Sequence, residues 1–261
     1  MIAVGIDLLS MEIWYKFLVC LARMAAMIGS LPIFTSSQAA FRLRLGVSFA
    51  ITMLLLPGLD ISFSDRQLTP VGFGMIILTE TLLGLLLGLV IHLIFFAVRF
   101  GATVAGYQMG FAAAEILDPQ HNQQVPLLAQ FQNVLAVLIF LALDAHHIVI
   151  RVMVRSYKIL PPGHIDFSGN AILFVLRMTG EMFVLGLQLI APVLAVLMLS
   201  MFILGIMSRV FSQLQVFMLS FPVNISLALI VIGLSLSIVV GILEKEFYGL
   251  QDRLLQVLQL V

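Results

Sequence analysis

The longest nearly uncharged stretch of the chain is residues 182–243, MFVLGLQLIAPVLAVLMLSMFILGIMSRVFSQLQVFMLSFPVNISLALIVIGLSLSIVVGIL. Arg209 is the only charged residue in these 62 positions, which are enough for two membrane-spanning helices and a connection. The polar residues gather midway, between Met207 and Gln215. Backbone groups in lipid must be hydrogen-bonded internally, and such runs are too long for barrel strands. The pattern therefore predicts a helical hairpin with a polar tip, in an all-α, multi-helix membrane-associated protein.

The composition of the whole chain favours the same class. Hydrophobic residues make up 62% of the 261 positions and charged residues only 10%, and the mean hydropathy is +1.17. A soluble domain is about half apolar and about a quarter charged, so this chain has too few polar side chains to cover a water-soluble globule. The formal net charge is zero, which gives no basic field for a nucleic-acid partner.

The N-terminal half contains further apolar stretches. We expect a first helix over residues 13–31, a loop over 34–44, a second helix over 45–56 and a long third helix over 71–98 that continues beyond Arg99. The tail is different, because its apolar residues recur at helical spacing and predict an amphipathic helix. Those tail residues are Leu250, Leu254, Val257 and Leu258. Six to eight helices are expected in total.

One polar segment interrupts the apolar sequence between residues 117 and 126. It carries an acidic side chain directly before Pro119, and an imidazole and several amide side chains between Pro119 and Pro126. Irregular backbone at membrane depth is tolerated only inside protein or beside water. The residues alone leave three interpretations open: a surface loop, a metal site based on the weak pair Asp118 and His121, or a segment inside a passage.

Small residues recur at four-residue spacing in the long third helix, which allows close packing of helix backbones. The two rows are Gly84 and Gly88, then Ala102, Gly106, Gly110 and Ala114. The spacing does not distinguish packing within this chain from packing against another subunit.

Two carboxylates, Glu80 and Glu181, lie within or at the start of apolar stretches. Burying an ionisable group in a membrane is unfavourable, so such a group usually faces a partner or an aqueous cavity. We expect both to be buried charges. They could form an ion or proton site of a transporter, or be paired carboxylates within a helix assembly.

No catalytic or nucleotide-binding motif is present in the sequence: it has no phosphate-binding loop, no HExxH and no CxxC. Asp144 followed by His146 and His147 invites comparison with a metal site. Adjacent helical residues point about 100° apart, so two neighbouring histidines are not expected to converge on one ion. We therefore expect no enzyme activity, no metal and no cofactor.

An ordered set of short motifs resembles the FliR family of type III export-gate proteins, over nearly the whole chain. The motifs are Pro32 with Arg42-Leu43-Arg44; Glu80 with Gly84 and Gly88; Gly106-Tyr107-Gln108-Met109-Gly110-Phe111 with Asp118-Pro119; His146-His147 with Ser156 and Pro161; Ala191-Pro192-Val193; Leu204-Gly205; Ser208-Arg209; Gln213; Val216-Phe217; and Phe221-Pro222-Val223. The chain departs from the family at Ser212, where the family usually has proline, at Gln215, often asparagine, and at Asp144-Ala145, commonly Asn-Gly or Gly-Gly.

The resemblance implies an architecture and a set of partners. Residues 1–175 would be a FliP-like part and residues 176–261 a FliQ-like helical hairpin with the amphipathic tail. The chain would assemble with FliP and FliQ subunits, associate with FlhB, contact membrane lipid and pass unfolded export substrates. Its location would be the bacterial inner membrane, as a multi-pass protein at the flagellar basal body.

The resemblance also implies functional segments. The polar loop would be a plug that projects into the central pore, formed by Leu117, Asp118, Pro119, Gln120, His121, Asn122, Gln123, Gln124 and Val125. The hairpin tip near the cytoplasmic entrance would include Ser208, Arg209, Ser212, Gln213 and Gln215. The alternatives are a subunit of a virulence-type secretion gate and an ion-coupled secondary transporter.

Overall fold

The computed structural model describes residues 11–31, 39–59, 69–110, 127–163, 169–210 and 216–261. Regular structure in these ranges is entirely helical, which confirms the predicted all-α class. Eight α-helices lie there, at the upper end of the expected number, and a short 3-10 turn follows the second at Leu56–Gly58. The helices are α1 (Met11–Ser30), α2 (Ala39–Leu55), α3 (Pro70–Met109), α4 (Leu127–Ala142), α5 (Ala145–Ile159), α6 (Gly169–Val210), α7 (Val216–Tyr248) and α8 (Leu250–Leu260).

Several helices are long and apolar enough to cross a membrane. Five segments of the described chain meet this test, and the broken pair α4 and α5 makes a sixth if it is counted as one span. The five are Ile13–Ser30, Phe41–Gly58, Pro70–Met109, Gly169–Val210 and Ser220–Leu260. Their number and length support the predicted membrane class.

The loop expected over residues 34–44 is wrong in its later part, because α2 begins at Ala39. The first residues of α2 are rich in alanine and arginine, which are both good helix formers. Arg44 Nη1 donates to the Gly29 carbonyl oxygen at 3.2 Å. This oxygen belongs to the last turn of α1, where carbonyl groups lack intrahelical partners.

The third helix continues beyond Arg99, as predicted, and forms a single element of 40 residues. A further helix, α5, covers Ala145–Ile159. The amphipathic tail forms α8, and its four predicted apolar residues are all buried.

The chain divides into two compact units that alternate along the sequence. Unit 1 comprises Met1–His92, Asp144–Met178 and Gly249–Val261, and unit 2 comprises Leu93–Leu143 and Thr179–Tyr248. These units are defined by contacts within the chain. They do not test the division at residue 175 into FliP-like and FliQ-like parts, which stays a prediction.

In unit 1, α1 packs against α2, and α8 packs against α5. Aromatic contacts support the first of these pairs: the Phe17 and Phe49 ring centroids are 5.1 Å apart in an edge-to-face arrangement. Tyr15 contacts Phe73 of α3 at 4.7 Å. Edge-to-face geometry is the favourable one for such rings, so these contacts help to orient the three helices.

In unit 2, the core includes three mutually contacting aromatic rings. Phe95, Phe140 and Phe247 are each fully buried, with centroid separations of 5.2 to 5.7 Å. They join α3, α4 and α7. A second cluster is made of smaller side chains, which let the backbones come closer together. Its members are Ala102, Ala105, Met109, Leu128, Ala129, Ile190, Val193, Leu197 and Ala228.

Candidate functional site

The polar segment 117–125 and Ala114 lie outside the described residues, in the part of the sequence between α3 and α4. α3 ends at Met109 and α4 begins at Leu127. Gly110 closes α3 with a left-handed φ of 94°, and its N–H donates to the Tyr107 carbonyl oxygen at 3.0 Å. A Cβ at this position would overlap the Phe221 ring of α7. Both the conformation and the space therefore require glycine at the exit from α3.

The small-residue row that leads to Gly110 faces the interior of this chain. Ala102 and Gly106 are buried, and Ala102 belongs to the small-side-chain cluster of unit 2. Tyr107, which interrupts the row, is 56% exposed. At the two buried positions the small side chains are therefore used for packing within the chain.

The first small-residue row lies against α1. A Cβ on Gly84 would overlap the Arg23 carbonyl oxygen and come within 2.8 Å of the Ala26 Cβ. A Cβ on Gly88 would overlap the Ser30 hydroxyl. The α1 and α3 backbones are thus in direct contact at Gly84, and the Ser30 side chain of α1 occupies the space beside Gly88.

Another close approach of helices involves Gly101, which belongs to neither of the two predicted rows of small residues. A Cβ on Gly101 would overlap the Gly186 carbonyl oxygen of α6, and a Cβ on Gly186 would come within 2.7 Å of the Ala97 carbonyl oxygen. Gly101 is one position before the row that was chosen. In the sequence, Gly101 and Gly186 are glycines in helices that are otherwise rich in bulky residues. No local pattern indicates that these two glycines contact each other.

A buried polar network at the contact of α1, α3 and α5 is the main electrostatic feature of unit 1. Arg23 and Glu80 are both fully buried, and Arg23 Nε donates to Glu80 Oε2 at 2.5 Å. Arg23 Nη1 donates to Ser156 Oγ at 3.1 Å, and Nη2 donates to the Leu160 carbonyl oxygen at 3.0 Å. The guanidinium carbon lies 4.4 Å from the centroid of the Tyr157 ring.

The network continues from the ring to the backbone of α1. Tyr157 Oη donates to the Cys20 carbonyl oxygen at 2.9 Å. Ser156 Oγ, which accepts from Arg23, donates in turn to the Met153 carbonyl oxygen at 2.7 Å. Each nitrogen of the Arg23 guanidinium therefore has a described acceptor, as a buried charge requires. The arrangement joins three helices through one side chain.

Glu80 and Glu181 have opposite environments in the chain. Glu80 is the carboxylate of the buried network, but Glu181 is exposed on α6. The expectation that Glu181 is buried is therefore wrong for this chain by itself. The surrounding sequence is apolar in both cases, but only Glu80 has a neighbouring helix that covers it. Arg23, the partner that sequence reasoning missed, carried the same signal as Glu80: a charge inside an apolar helix.

The C-terminal hairpin has the expected two helices, and its tip is partly described. α6 ends at Val210 and α7 begins at Val216, with Ser212, Gln213 and Gln215 outside the described residues. Ser208 Oγ donates to the Gly205 carbonyl oxygen at 2.8 Å, and both Ser208 and Arg209 are exposed. Arg209 therefore projects from the last turn of α6.

A polar contact below the tip was not anticipated. Ser200 Oγ of α6 donates to Asn224 Oδ1 of α7 at 2.7 Å, and both residues are buried. Small polar side chains are common contacts between helices in membranes. This hydrogen bond fixes the register of the two hairpin helices.

The rings of His146 and His147 lie closer together than their adjacent helical positions suggested. Their ring centroids are 4.1 Å apart, and Asp144 Oδ1 lies 3.9 Å from His146 Nε2 and 3.3 Å from His147 Nδ1. The Cβ directions differ on a helix, but the rings extend beyond them and turn toward each other. Asp144 precedes the helix with a left-handed φ of 53°, which brings its carboxylate back over the first turn.

Comparison with known proteins gives the family. The sequence model of "Bacterial export proteins, family 1" matches residues 14–250. The flagellar biosynthetic protein FliR of Pectobacterium carotovorum subsp. carotovorum is 30% identical over 236 residues, covering 90% of each chain. FliR of Escherichia coli (strain K12) is 27% identical over 87% of this chain and 86% of its own. FliR of Bacillus subtilis (strain 168) is 27% identical over 90% of this chain and 92% of its own. The chain belongs to this export family, which confirms the resemblance seen in its motifs.

Proposed function

We propose that this member of the export family is a structural and pore-forming subunit of a flagellar type III protein export gate. The observation that carries the proposal is the family match over residues 14–250, which includes both the polar segment and the hairpin. Relatives named flagellar biosynthetic protein FliR are covered over about nine-tenths of their length. The proposed role therefore concerns the whole chain and is not limited to one shared region.

The outer surface of the hairpin supports assembly with other helices. The α6 span buries 28% of its most apolar window within the chain and the Ser220–Leu260 span 17%, compared with 61% for α3. Large apolar side chains such as Phe202, Ile206 and Leu234 are exposed on these helices. Such a surface requires either lipid or neighbouring protein. We assign part of it to FliP and FliQ subunits.

Polar groups on the same helix favour protein or water as a neighbour over lipid. Glu181, Gln188 and Arg209 are exposed along α6. Placing a charged side chain at the centre of a bilayer is unfavourable by at least about 2.5 kcal/mol. We propose that these groups meet polar groups of adjacent subunits or line a wet part of the assembly.

The polar segment 117–125 is proposed as the plug of the pore. Its amides and single acidic residue suit a wet passage, and the prolines at 119 and 126 restrict its backbone. Its support in the structure is indirect: Gly110 ends α3 with a left-handed φ of 94°. The hairpin tip, residues 208–215, is proposed to lie near the cytoplasmic entrance.

The proposed partners are FliP and FliQ in a hetero-oligomer, FlhB, membrane lipid and unfolded export substrates. The proposed location is the inner membrane at the flagellar basal body. The role is structural: the chain would shape the passage and bind its neighbours, without a catalytic step.

Mass spectrometry of the tagged chain, purified from native membranes in mild detergent, tests this function. We expect recovery with an excess of FliP-like and FliQ-like chains, and with flagellar rather than virulence-secretion relatives. An unrelated tagged multi-span protein from the same membranes is the control for non-specific recovery. Purification of the chain alone, or only with copies of itself, would contradict the gate and restore the transporter alternative.

A further inference from the structure

A cluster of potential metal ligands lies at the start of α5 and includes none of the residues used in the proposed function. Asp144, His146 and His147 each offer one ligand atom, and these atoms all lie within 4.8 Å of one another. The side chains of Asp144 and His147 are 74% and 62% exposed, so an ion from solution can reach them. His146 is partly covered.

The separations in this cluster approach those of a tetrahedral metal centre. Zn²⁺ binds histidine nitrogens and carboxylate oxygens at about 2.0–2.2 Å, which places neighbouring ligand atoms about 3.3 Å apart. The Asp144 Oδ1 to His147 Nδ1 distance is 3.3 Å, and the Asp144 Oδ1 to His146 Nε2 distance is 3.9 Å. The Asp144 side chain is exposed, so its rotation can shorten the second distance.

The backbone holds the three side chains together without a metal. Asp144 is the only non-glycine residue with positive φ in the described part of the chain, and aspartate tolerates this conformation better than most residues. The His147 N–H donates to the Asp144 carbonyl oxygen at 2.9 Å, which closes the turn. Since one turn of backbone carries all three ligands, little conformational entropy is lost when they bind one ion.

The role of His146 distinguishes a metal site from a simple ion pair. An Asp144–His147 ion pair at the helix start would use one imidazole only. His146 Nδ1 is buried and has no hydrogen-bond partner among the described residues, which leaves Nε2 as its binding atom. That atom faces the same carboxylate oxygen as His147 Nδ1.

We propose that Asp144, His146 and His147 bind a divalent transition-metal ion, with Zn²⁺ as the best fit. Two imidazoles and one carboxylate suit Zn²⁺, Co²⁺, Ni²⁺ or Cu²⁺, whereas Mg²⁺ and Ca²⁺ prefer oxygen ligands. Three protein ligands leave further positions for water or a group from another chain. The bound ion would fix the first turn of α5. This site is additional to the export role and does not depend on it.

The test uses the full chain, with its copurifying subunits, carrying a tag that contains no histidine. The preparation is stripped with a chelator and titrated with Co²⁺, and the visible d–d absorption is recorded. We expect one equivalent of Co²⁺ per chain, displaced by Zn²⁺. Asp144→Asn, which keeps a residue tolerant of positive φ, and His147→Gln are each expected to weaken Co²⁺ binding at least tenfold.

Matched controls separate this site from adventitious histidine binding. His164→Gln removes another imidazole and is expected to leave the Co²⁺ titration unchanged. Zn²⁺ is expected to raise the unfolding temperature of the wild-type chain but not that of the His146→Gln/His147→Gln variant. Equal Co²⁺ affinity in wild type and both single variants, or no absorption band in the wild type, would overturn the proposal and leave Asp144 and His147 as an ion pair.

Discussion

At the residue scale, Arg23 shows how one charge can be kept inside an apolar assembly. Its guanidinium has five donors, and the Glu80 carboxylate, the Ser156 hydroxyl and the Leu160 carbonyl accept from its three nitrogens. Desolvating an ion pair is unfavourable, and this arrangement offsets the penalty with hydrogen bonds from three parts of the chain. The same contacts specify which faces of α1, α3 and α5 meet.

Part of this network could be predicted from sequence and part could not. Glu80 was selected because a carboxylate in an apolar run is unusual. Its partner is 57 positions away in the sequence, and no local pattern connects the two. Glu181 gave the same local signal but is exposed. The difference lies in the tertiary neighbours, which the sequence around each glutamate does not encode.

Substitution of Glu80 by glutamine is expected to destabilise the chain. The change leaves the buried Arg23 charge without its counter-charge, and breaking a buried pair by removing one partner typically costs about 3–5 kcal/mol. Thermal unfolding in detergent measures the effect. Trp14 is the only tryptophan of the chain and lies on α1, so its fluorescence reports on the helix that carries Arg23.

Two controls accompany this measurement. Glu181→Gln makes the same chemical change at an exposed site and is expected to shift stability by no more than about 0.5 kcal/mol. The double variant Arg23→Met/Glu80→Leu removes both charges and is expected to recover part of the loss, because no unpaired ion remains. Equal destabilisation by Glu80→Gln and Glu181→Gln would contradict a specific role for the buried pair.

At the element scale, apolar runs predicted most of the helices. The long stretch with Arg209 as its only charge lies mainly in α6 and α7, and the periodic tail forms α8. The start of α2 differs from the expected loop over 34–44, and Arg44 lies within this helix, where its side chain donates to the Gly29 carbonyl oxygen of α1. The contacts between helices were less predictable, since spacing identifies rows of small residues but does not identify the helices that face them.

Gly84 offers a direct test of the contact between α1 and α3. Gly84→Ala places a methyl group against the Arg23 backbone and the Ala26 side chain, and overpacking of this kind typically costs about 1–3 kcal/mol. Gly74→Ala is the matched control on the same helix, because a Cβ there has open space around it. Alanine is the better helix former by up to about 1 kcal/mol, so Gly74→Ala is expected to be neutral or stabilising. Unfolding temperatures measured side by side decide between them. Stabilisation by both changes would show that the two backbones are not in contact.

At the scale of the whole molecule, much of the apolar surface of the hairpin helices is not covered by other parts of the chain. Two-thirds or more of the most apolar windows of the hairpin helices remain outside its core, and Arg209 is exposed at the end of α6. Composition could predict a membrane protein, but a single sequence does not separate surface for lipid from surface for subunits. The match to the export family favours surface for contacts with other subunits.

Arg209→Ala is expected to impair export more than accumulation of the chain. The side chain is exposed, so its loss leaves the described core intact, whereas a contact with a neighbouring subunit at the tip would be lost. We expect secreted substrate to fall about tenfold, which corresponds to about 1.4 kcal/mol if one charged contact is removed. Immunoblots of secreted substrate and membrane fractions measure the two quantities.

Arg209→Lys should retain part of the export. Arg177→Ala, at an exposed arginine near the other end of α6, should retain most of it. Wild-type export by Arg209→Ala would contradict the assignment of the tip.

Deletion of residues 118–124 tests the proposed plug at the scale of the assembled gate. Seven positions, six of them polar, would be removed from the passage, and the flanking helices α3 and α4 would be retained. We expect FliP-like and FliQ-like chains to copurify as before while small ions pass through the membrane, because nothing would fill the pore at rest. Conductance of the purified assembly in planar bilayers measures the leak. Deletion of residues 61–67, an equally long segment between α2 and α3, should leave conductance low. If the 118–124 deletion assembles normally and conducts no more than the wild type, this segment does not close the pore and is better explained as a connecting loop.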